Sequence, residues 1–312
     1  MTDPGRAASL LFVTLLVVGA CNGDTDSPNV DGSVTPSVTA PNVVIPDPTP
    51  TTSPSKPHST SSTVVVPASG DLLVVGDWGS GTLPQGAVAG AMERYATDNL
   101  VEAILTVGDN FYLDDPELLM APFSWTADIP FWITWGNHDV ESDTRIAAME
   151  STFDDPPRWT VWRWGSVDVL ILDSNQITDL AQARFFVTAM AESSRPMIVT
   201  MHHPPYSCSH HGATTDVVNQ LVGVFDEDVK LVLAGHDHNY QRFESVGVTY
   251  VVSGGGGRAL YPVEQCPANH PELLAAAEVH HFLTLTQEPD GLHLTVYDVN
   301  GEVVDDVLID LG

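Results

Sequence analysis

Five times between residues 72 and 238 a short apolar run ends at a glycine or turn, and the polar side chain that follows is Asp, Asn or His. The runs are 72–75, 104–107, 130–135, 197–201 and 231–234, and behind them stand Asp77, Asp109, Asn137, His202, and His236 with His238. Each run reads as a buried strand. Glycine lets the chain turn sharply as a strand ends, and open α/β sheets collect ligands at the carboxyl ends of their strands. The central stretch is Gly108-Asp109-Asn110-Phe111-Tyr112. Asp109 has two oxygens, one for each of two metal ions, and Tyr112 lies near enough in sequence to turn back to the same point. A lone Asp after a strand is ordinarily a turn residue or cap. Five separate strands delivering carboxylate, amide carbonyl and imidazole are a different matter, because that mixed O/N set suits hard-to-borderline metals. Two ions about 3.5–4 Å apart clamp both the attacking and the leaving oxygen of a phosphoryl displacement, and Asp109 is the natural bridge.

The chain around these runs divides in three. Residues 1–21 read as an export signal: Arg6 precedes an apolar run at 10–18, too short to span a bilayer, then Gly19-Ala20-Cys21. Small residues before a lone Cys resemble a bacterial lipobox, with Cys21 as the lipidated first residue of the mature chain; an ordinary cleaved signal peptide is the alternative. Residues 22–67, rich in Ser, Thr, Pro, Asn, Asp and Val and without an aromatic, bury too little apolar surface to fold. They read as a disordered tether reaching on the order of 40 Å. Residues 68–312 remain for one folded domain. There helices are expected over 85–100, around 147–149, over 179–192 and over 216–225, the last with Asp216 as N-cap. Runs 159–164 and 167–172, joined by Gly165-Ser166, predict a β-hairpin. Further strands are expected at 248–252, 282–286, 292–297 and 303–308. Strand–helix alternation followed by a strand-rich end predicts an α/β fold of two packed sheets with helices outside.

Composition narrows the partners. The folded part holds 36 of the 41 acidic and 9 of the 11 basic residues, and that negative field repels nucleic acid and anionic membranes. Seven of the 12 His fall at His138, at His202, His203, His210 and His211, and at His236 and His238, and neutral imidazole is the commonest metal-ligating side chain. Cys208 and Cys266 are the thiols left after Cys21; an oxidising compartment favours a disulfide between them, and two free buried thiols are the alternative. The glycines 254–257 lack the Lys-Ser/Thr of a P-loop and are expected beside the site. Arg242 is expected in a structural ion pair and Asp173 in a strand-end turn.

Asp77-Trp78-Gly79, Gly108-Asp109-Asn110-Phe111-Tyr112, Gly136-Asn137-His138-Asp139, Val199-Thr200-Met201-His202 and Gly235-His236-Asp237-His238 resemble, in order, the five motifs of the purple acid phosphatases. These belong to the calcineurin-like metallophosphoesterases, and the likeness is strongest to the small tartrate-resistant acid phosphatase type. The resemblance implies a four-layer α/β/β/α sandwich of two mixed sheets. It implies one metal held by Asp77, Asp109, Tyr112 and His238, and a second held by Asp109, Asn137, His202 and His236. Where the wider superfamily reads Asp-x-His, Gly79 stands and Tyr112 fills the place; a phenolate suits Fe(III), and its charge transfer colours the family. The cofactor expected is therefore Fe(III) with a divalent Fe, Zn or Mn ion. The implied chemistry is attack by metal-bound hydroxide, with His138 serving the leaving group, His211 contacting the substrate, Asp139 orienting His138, and His203 and His210 either supporting the ligands or standing as simple loop residues. The activity expected is an exported, lipid-anchored acid phosphatase acting on small phosphate monoesters as a monomer. A phosphodiesterase or nucleotidase on the same fold, and a non-catalytic surface-binding lipoprotein, are the alternatives.

Overall fold

Successive side chains of the strand Asp71–Val75 enter two different cores. Leu72 and Val74 pack with Leu105, Val169, Leu231, Leu285 and Leu294, while Leu73 and Val75 pack with Val88, Met92, Ile104 and Met149. That split follows from the two-residue period of a strand and shows both faces of its sheet covered. The structure, a computed structural model, describes residues 70–312 apart from 226 and 269; the expected export signal with Cys21 and the whole of the expected tether lie outside the described residues.

In chain order the elements are β1 (Asp71–Val75), α1 (Leu83–Asp98), β2 (Val101–Thr106), α2 (Pro116–Met120), β3 (Phe131–Trp132), α3 (Asp143–Thr152), β4 (Thr160–Trp164), β5 (Val167–Ile171) and α4 (Leu180–Glu192). There follow β6 (Met197–Thr200), α5 (Thr215–Gln220), β7 (Val229–Ala234), β8 (Tyr240–Ser245), β9 (Val248–Ser253), β10 (Leu273–Ala277), β11 (His281–Glu288), β12 (Gly291–Asp298) and β13 (Val303–Ile309). One sheet runs β13-β12-β11-β1-β2-β3 and the other β10-β8-β9-β7-β6-β5-β4. Both are mixed: β1, β2 and β3 are mutually parallel, as are β5, β6, β7 and β9, and the outer strands pair antiparallel.

Three apolar clusters separate four layers. The first lies between the sheets; the second joins Phe186 and Met190 of α4 and Val217 of α5 to Leu170, Val199 and Val232; the third seats α1 and α3 on β1 and β2. The expected hairpin is present, with Thr160 opposite Ile171 and Trp164 opposite Val167.

Local differences have local causes. The expected strand 130–135 pairs only over Phe131–Trp132, because the Thr134 N–H donates to Thr106 Oγ1 at 3.0 Å instead of to a neighbouring backbone. Thr214, not Asp216, occupies the N-cap of α5, which places Asp216 in the first turn, where its charge still suits the helix dipole. The strands β8 and β10 were not expected. Arg242 does form an ion pair, with Asp305 at 2.7 Å, and Asp173 caps a 3₁₀ turn and pairs with Arg158 at 3.2 Å.

Candidate metal centre

The carboxyl ends of β1, β2 and β3 in one sheet and of β6 and β7 in the other open on a single point. Asp77, Asp109 and His236 stand just beyond their strands with φ of 56°, 51° and 72°. That left-handed backbone costs of order 1–3 kcal/mol per non-glycine residue and persists where surroundings impose it. Gly108, at φ 93°, has no side chain because the His202 imidazole fills that space.

Two groups of donors meet at Asp109. Its Oδ2 lies 2.9 Å from Tyr112 Oη, which is also 3.1 Å from Asp77 Oδ1 and 3.3 Å from His238 Nε2. Its Oδ1 lies 3.3 Å from His202 Nε2, which is in turn 3.1 Å from Asn137 Oδ1 and 3.2 Å from His236 Nδ1. One oxygen of the carboxylate therefore faces each group. Asp77, Asp109 and His202 are buried, and their ligand atoms lie within 4.8 Å of one another.

Tautomers are set from behind. His202 Nδ1–H donates to the Val107 carbonyl at 2.9 Å, and His238 Nδ1–H to the Ala259 carbonyl at 2.8 Å. Each Nε2 then faces carboxylate or amide oxygens, so a cation, whether a proton or a metal ion, is called for at that nitrogen. Such a set is stable around cations and unstable without them. The electrostatics agree. Burial would lower His202, yet Asp109 and Asp77 outweigh it and lift it to about 10, so the site draws positive charge to its centre. Burial and the neighbouring imidazoles hold His236 neutral, at about 2. Tyr112 is pushed well above the usual phenol range by burial and by Asp77 and Asp109; ionising it takes a cation at its oxygen. The residues present thus fit a pair of metal ions.

The flanking residues expected from sequence all come to this point, though not all as expected. The His138 ring lies 4.5 Å from the Tyr112 ring, and its backbone N–H donates to Asp109 Oδ1 at 2.9 Å. Asp139 does not orient it: the Asp139 oxygens accept from Asn110 Nδ2, Gly136 N and Phe111 N at 2.7–2.8 Å, bracing two ligand loops against each other. Glu141 is the partner, 3.0 Å from His138 Nδ1. The His211 ring packs on His236 at 4.1 Å, His203 on the other side at 4.6 Å, and His210 against His211 at 4.8 Å. Cys208 and Cys266 form a disulfide that ties the His210–His211 loop to the segment after Tyr261.

Sequence reading passed over four residues here. Glu141 is three positions from His138, a spacing at which side chains meet on a helical turn. Asp237, between two candidate ligands, is buried and accepts the His211 and Gly212 N–H groups at 2.9 and 3.2 Å. Tyr261 stacks on His238 at 4.2 Å, and Arg258 stands 4.4 Å over the Tyr112 ring; neither carries a signal of its own in the sequence.

Residues 71–240 match the calcineurin-like phosphoesterase family. The chain belongs to that family, and its donor set is that of a metal-dependent phosphoester hydrolase. It is 26% identical to Purple acid phosphatase 7 of Arabidopsis thaliana over 275 residues, 75% of this chain and 84% of that one. It is 25% identical over 234 residues to Tartrate-resistant acid phosphatase type 5 of Sus scrofa, 59% of this chain and 69% of that one. Among solved structures, the purple acid phosphatase PPD1 of yellow lupin (Lupinus luteus) seeds shares the fold at TM-score 0.66 and 17% identity, covering 77% of this chain and 53% of that one.

Proposed function

We propose that this protein is an exported acid phosphatase that hydrolyses small phosphate monoesters at a dinuclear centre. Asp77, Asp109, Tyr112 and His238 hold Fe(III), and Asp109, Asn137, His202 and His236 hold a divalent Fe, Zn or Mn ion. The observation that carries this reading is the division of Asp109, one oxygen facing Tyr112 and the other facing His202. Bound there, the ions supply an activated nucleophile and neutralise charge on the phosphoryl oxygens. The protein does the rest. His211, held through its backbone by Asp237, and His138, held by Glu141, flank the centre, where each can give a proton to the departing alkoxide. Tyr112 supports the iron assignment: Gly79, where the wider superfamily has His, abuts the Asn110 carbonyl and leaves no room for a side chain.

The disulfide supports export to an oxidising compartment. Lipid anchoring at Cys21 is part of the proposal and rests on the sequence. Among the described residues no helix is long and apolar enough to cross a membrane.

The test is metal analysis of the purified protein together with turnover of paired mono- and diesters across pH. Near-stoichiometric iron plus a second ion, a visible absorption band and faster monoester cleavage at acidic pH are expected. A colourless, iron-free but active enzyme removes the Fe(III) assignment, and faster diester cleavage removes the monoester assignment.

A further inference from the structure

Arg94, Arg145, Arg158, Arg163, Arg195 and Arg242 each donate to a carbonyl or carboxylate, and Arg184 is exposed. Arg258 is the exception among the described residues. It is half-buried, its guanidinium finds no acceptor there, and its Nε–H is fully buried and unmet. With 41 acidic side chains in the sequence, a carboxylate partner would be easy to supply. Buried donors without partners are few in folded proteins and call for a reason.

The position supplies one. The Arg258 backbone N–H donates to the Asp77 carbonyl at 3.1 Å, which pins the residue to a candidate ligand. Its guanidinium carbon lies 4.4 Å over the ring of Tyr112, whose hydroxyl touches both Asp77 and Asp109. The cation–π contact holds the planar group in place without using its N–H donors. A guanidinium is a rigid fork that matches phosphate oxygens, and the acidic surface around it would otherwise repel an anionic substrate. A purely structural role explains the ring contact but leaves the guanidinium without an acceptor among the described residues.

We infer that Arg258 binds the phosphoryl group: it donates to a non-bridging oxygen of the ester, and to the inorganic phosphate left after cleavage, at the rim of the Asp77–Asp109 centre. The inference rests on the phosphoesterase reading above for the place of the substrate.

Calorimetric titration of inorganic phosphate into the metal-loaded full-length protein tests it, comparing wild type, Arg258→Gln and Arg258→Lys. The expected result is phosphate affinity weakened about 10- to 100-fold in Arg258→Gln, as for loss of a charge-assisted bond, and less in Arg258→Lys, with metal content unchanged. Phosphate affinity equal to wild type in Arg258→Gln overturns the inference. Should that variant not fold, phenylglyoxal labelling of wild type decides: saturating phosphate is expected to protect Arg258 while Arg184 still reacts, and equal labelling of Arg258 with and without phosphate overturns it. Wild type that binds phosphate through Arg258 but cleaves no ester removes the phosphatase reading and leaves this assignment standing. Wild type that cleaves esters while Arg258→Gln binds phosphate normally removes only the role of Arg258.

Discussion

Asp237 accepts the backbone N–H of His211 at 2.9 Å across 26 residues of chain. The same carboxylate takes the Gly212 N–H and the Ser207 hydroxyl, so a buried charge in the loop of two candidate ligands holds the loop that carries a candidate proton donor. His211 stands in the loop between β6 and α5, and its ring lies 4.1 Å from that of His236.

Replacing that acceptor therefore acts on His211 from a distance. In Asp237→Asn one oxygen becomes an NH₂ group, which cannot accept from a backbone N–H. Stability is expected to fall by about 1–3 kcal/mol and kcat by about 10- to 100-fold, the scale of a small misplacement near the chemistry. The diagnostic is leaving-group dependence. The defect in Asp237→Asn is expected to be larger for alkyl phosphates than for nitrophenyl phosphate, whose leaving group needs no proton. An equal defect on both would assign Asp237 to structure alone.

Tyr112 is the next point of attack. Tyr112→Phe keeps the ring under Arg258 and beside His138 but removes the oxygen between Asp77 and Asp109. The iron-loaded variant is expected to lose the visible band at equal iron content, measured by absorption alongside elemental analysis. Retention of the band would name another ligand as its source. Gly79→His restores the Asp-x-His of the wider superfamily on paper, yet the added side chain would strike the Asn110 carbonyl. We expect it to lower stability by about 3 kcal/mol, as overpacking does, and not to add a ligand.

The difference between what sequence disclosed and what it hid follows the range of the interactions. Asp77, Asp109, Asn137, His202 and His236 are legible because each follows its own apolar run, so residue and strand end are neighbours in the chain. Asp237 and Arg258 owe their roles to partners 26 and 146 positions away, and no local pattern marks them. Asp139 misleads for the same reason: it adjoins His138 in sequence, but its oxygens are taken up by Asn110 and Phe111, 29 and 28 residues back. In β10, Leu273-Leu274-Ala275-Ala276-Ala277 has the composition of a helix, and pairing with β8 at the sheet edge overrides it.

His281 makes the fold acid-sensitive. It is fully buried in neutral form, Nδ1–H donating to the Val279 carbonyl at 2.9 Å and Nε2 accepting from the Ser253 hydroxyl at 3.0 Å. Burial lowers it to about 4 from 6.5. The unfolded chain thus binds a proton that the folded chain refuses: the stabilisation is whole above pH 6.5 and is lost as pH falls towards 4. The total is about 3 kcal/mol. His281→Gln, which cannot titrate, is expected to lose about 2 kcal/mol less than wild type between pH 7 and pH 5 in urea unfolding. Parallel curves for the two proteins would place the acid sensitivity elsewhere.

Asp305 clamps the two sheets. It lies on β13 and accepts from the Tyr240 hydroxyl and Arg242 Nε of β8, both at 2.7 Å, so one carboxylate joins strands of opposite sheets. Tyr240 is fully buried in the core between them, and Arg242 is largely covered. Asp305→Ala strands a buried hydroxyl and a guanidinium together; we expect it to destabilise by about 2–4 kcal/mol, below the full loss for a wholly buried pair because Arg242 keeps some water. Asp305→Asn retains one acceptor and is expected to lose about half as much. Burial works to raise the Asp305 carboxyl, but Arg242 and Tyr240 outweigh it and hold it below the usual range. A depressed carboxyl stabilises above the unfolded-state value of about 3.9 and loses that contribution as pH falls through the folded one. The penalty of Asp305→Ala is therefore expected to be the same at pH 7 and pH 5.5, read by urea unfolding with an unchanged m-value. A loss under about 1 kcal/mol would mean that the apolar layer alone holds the sheets together.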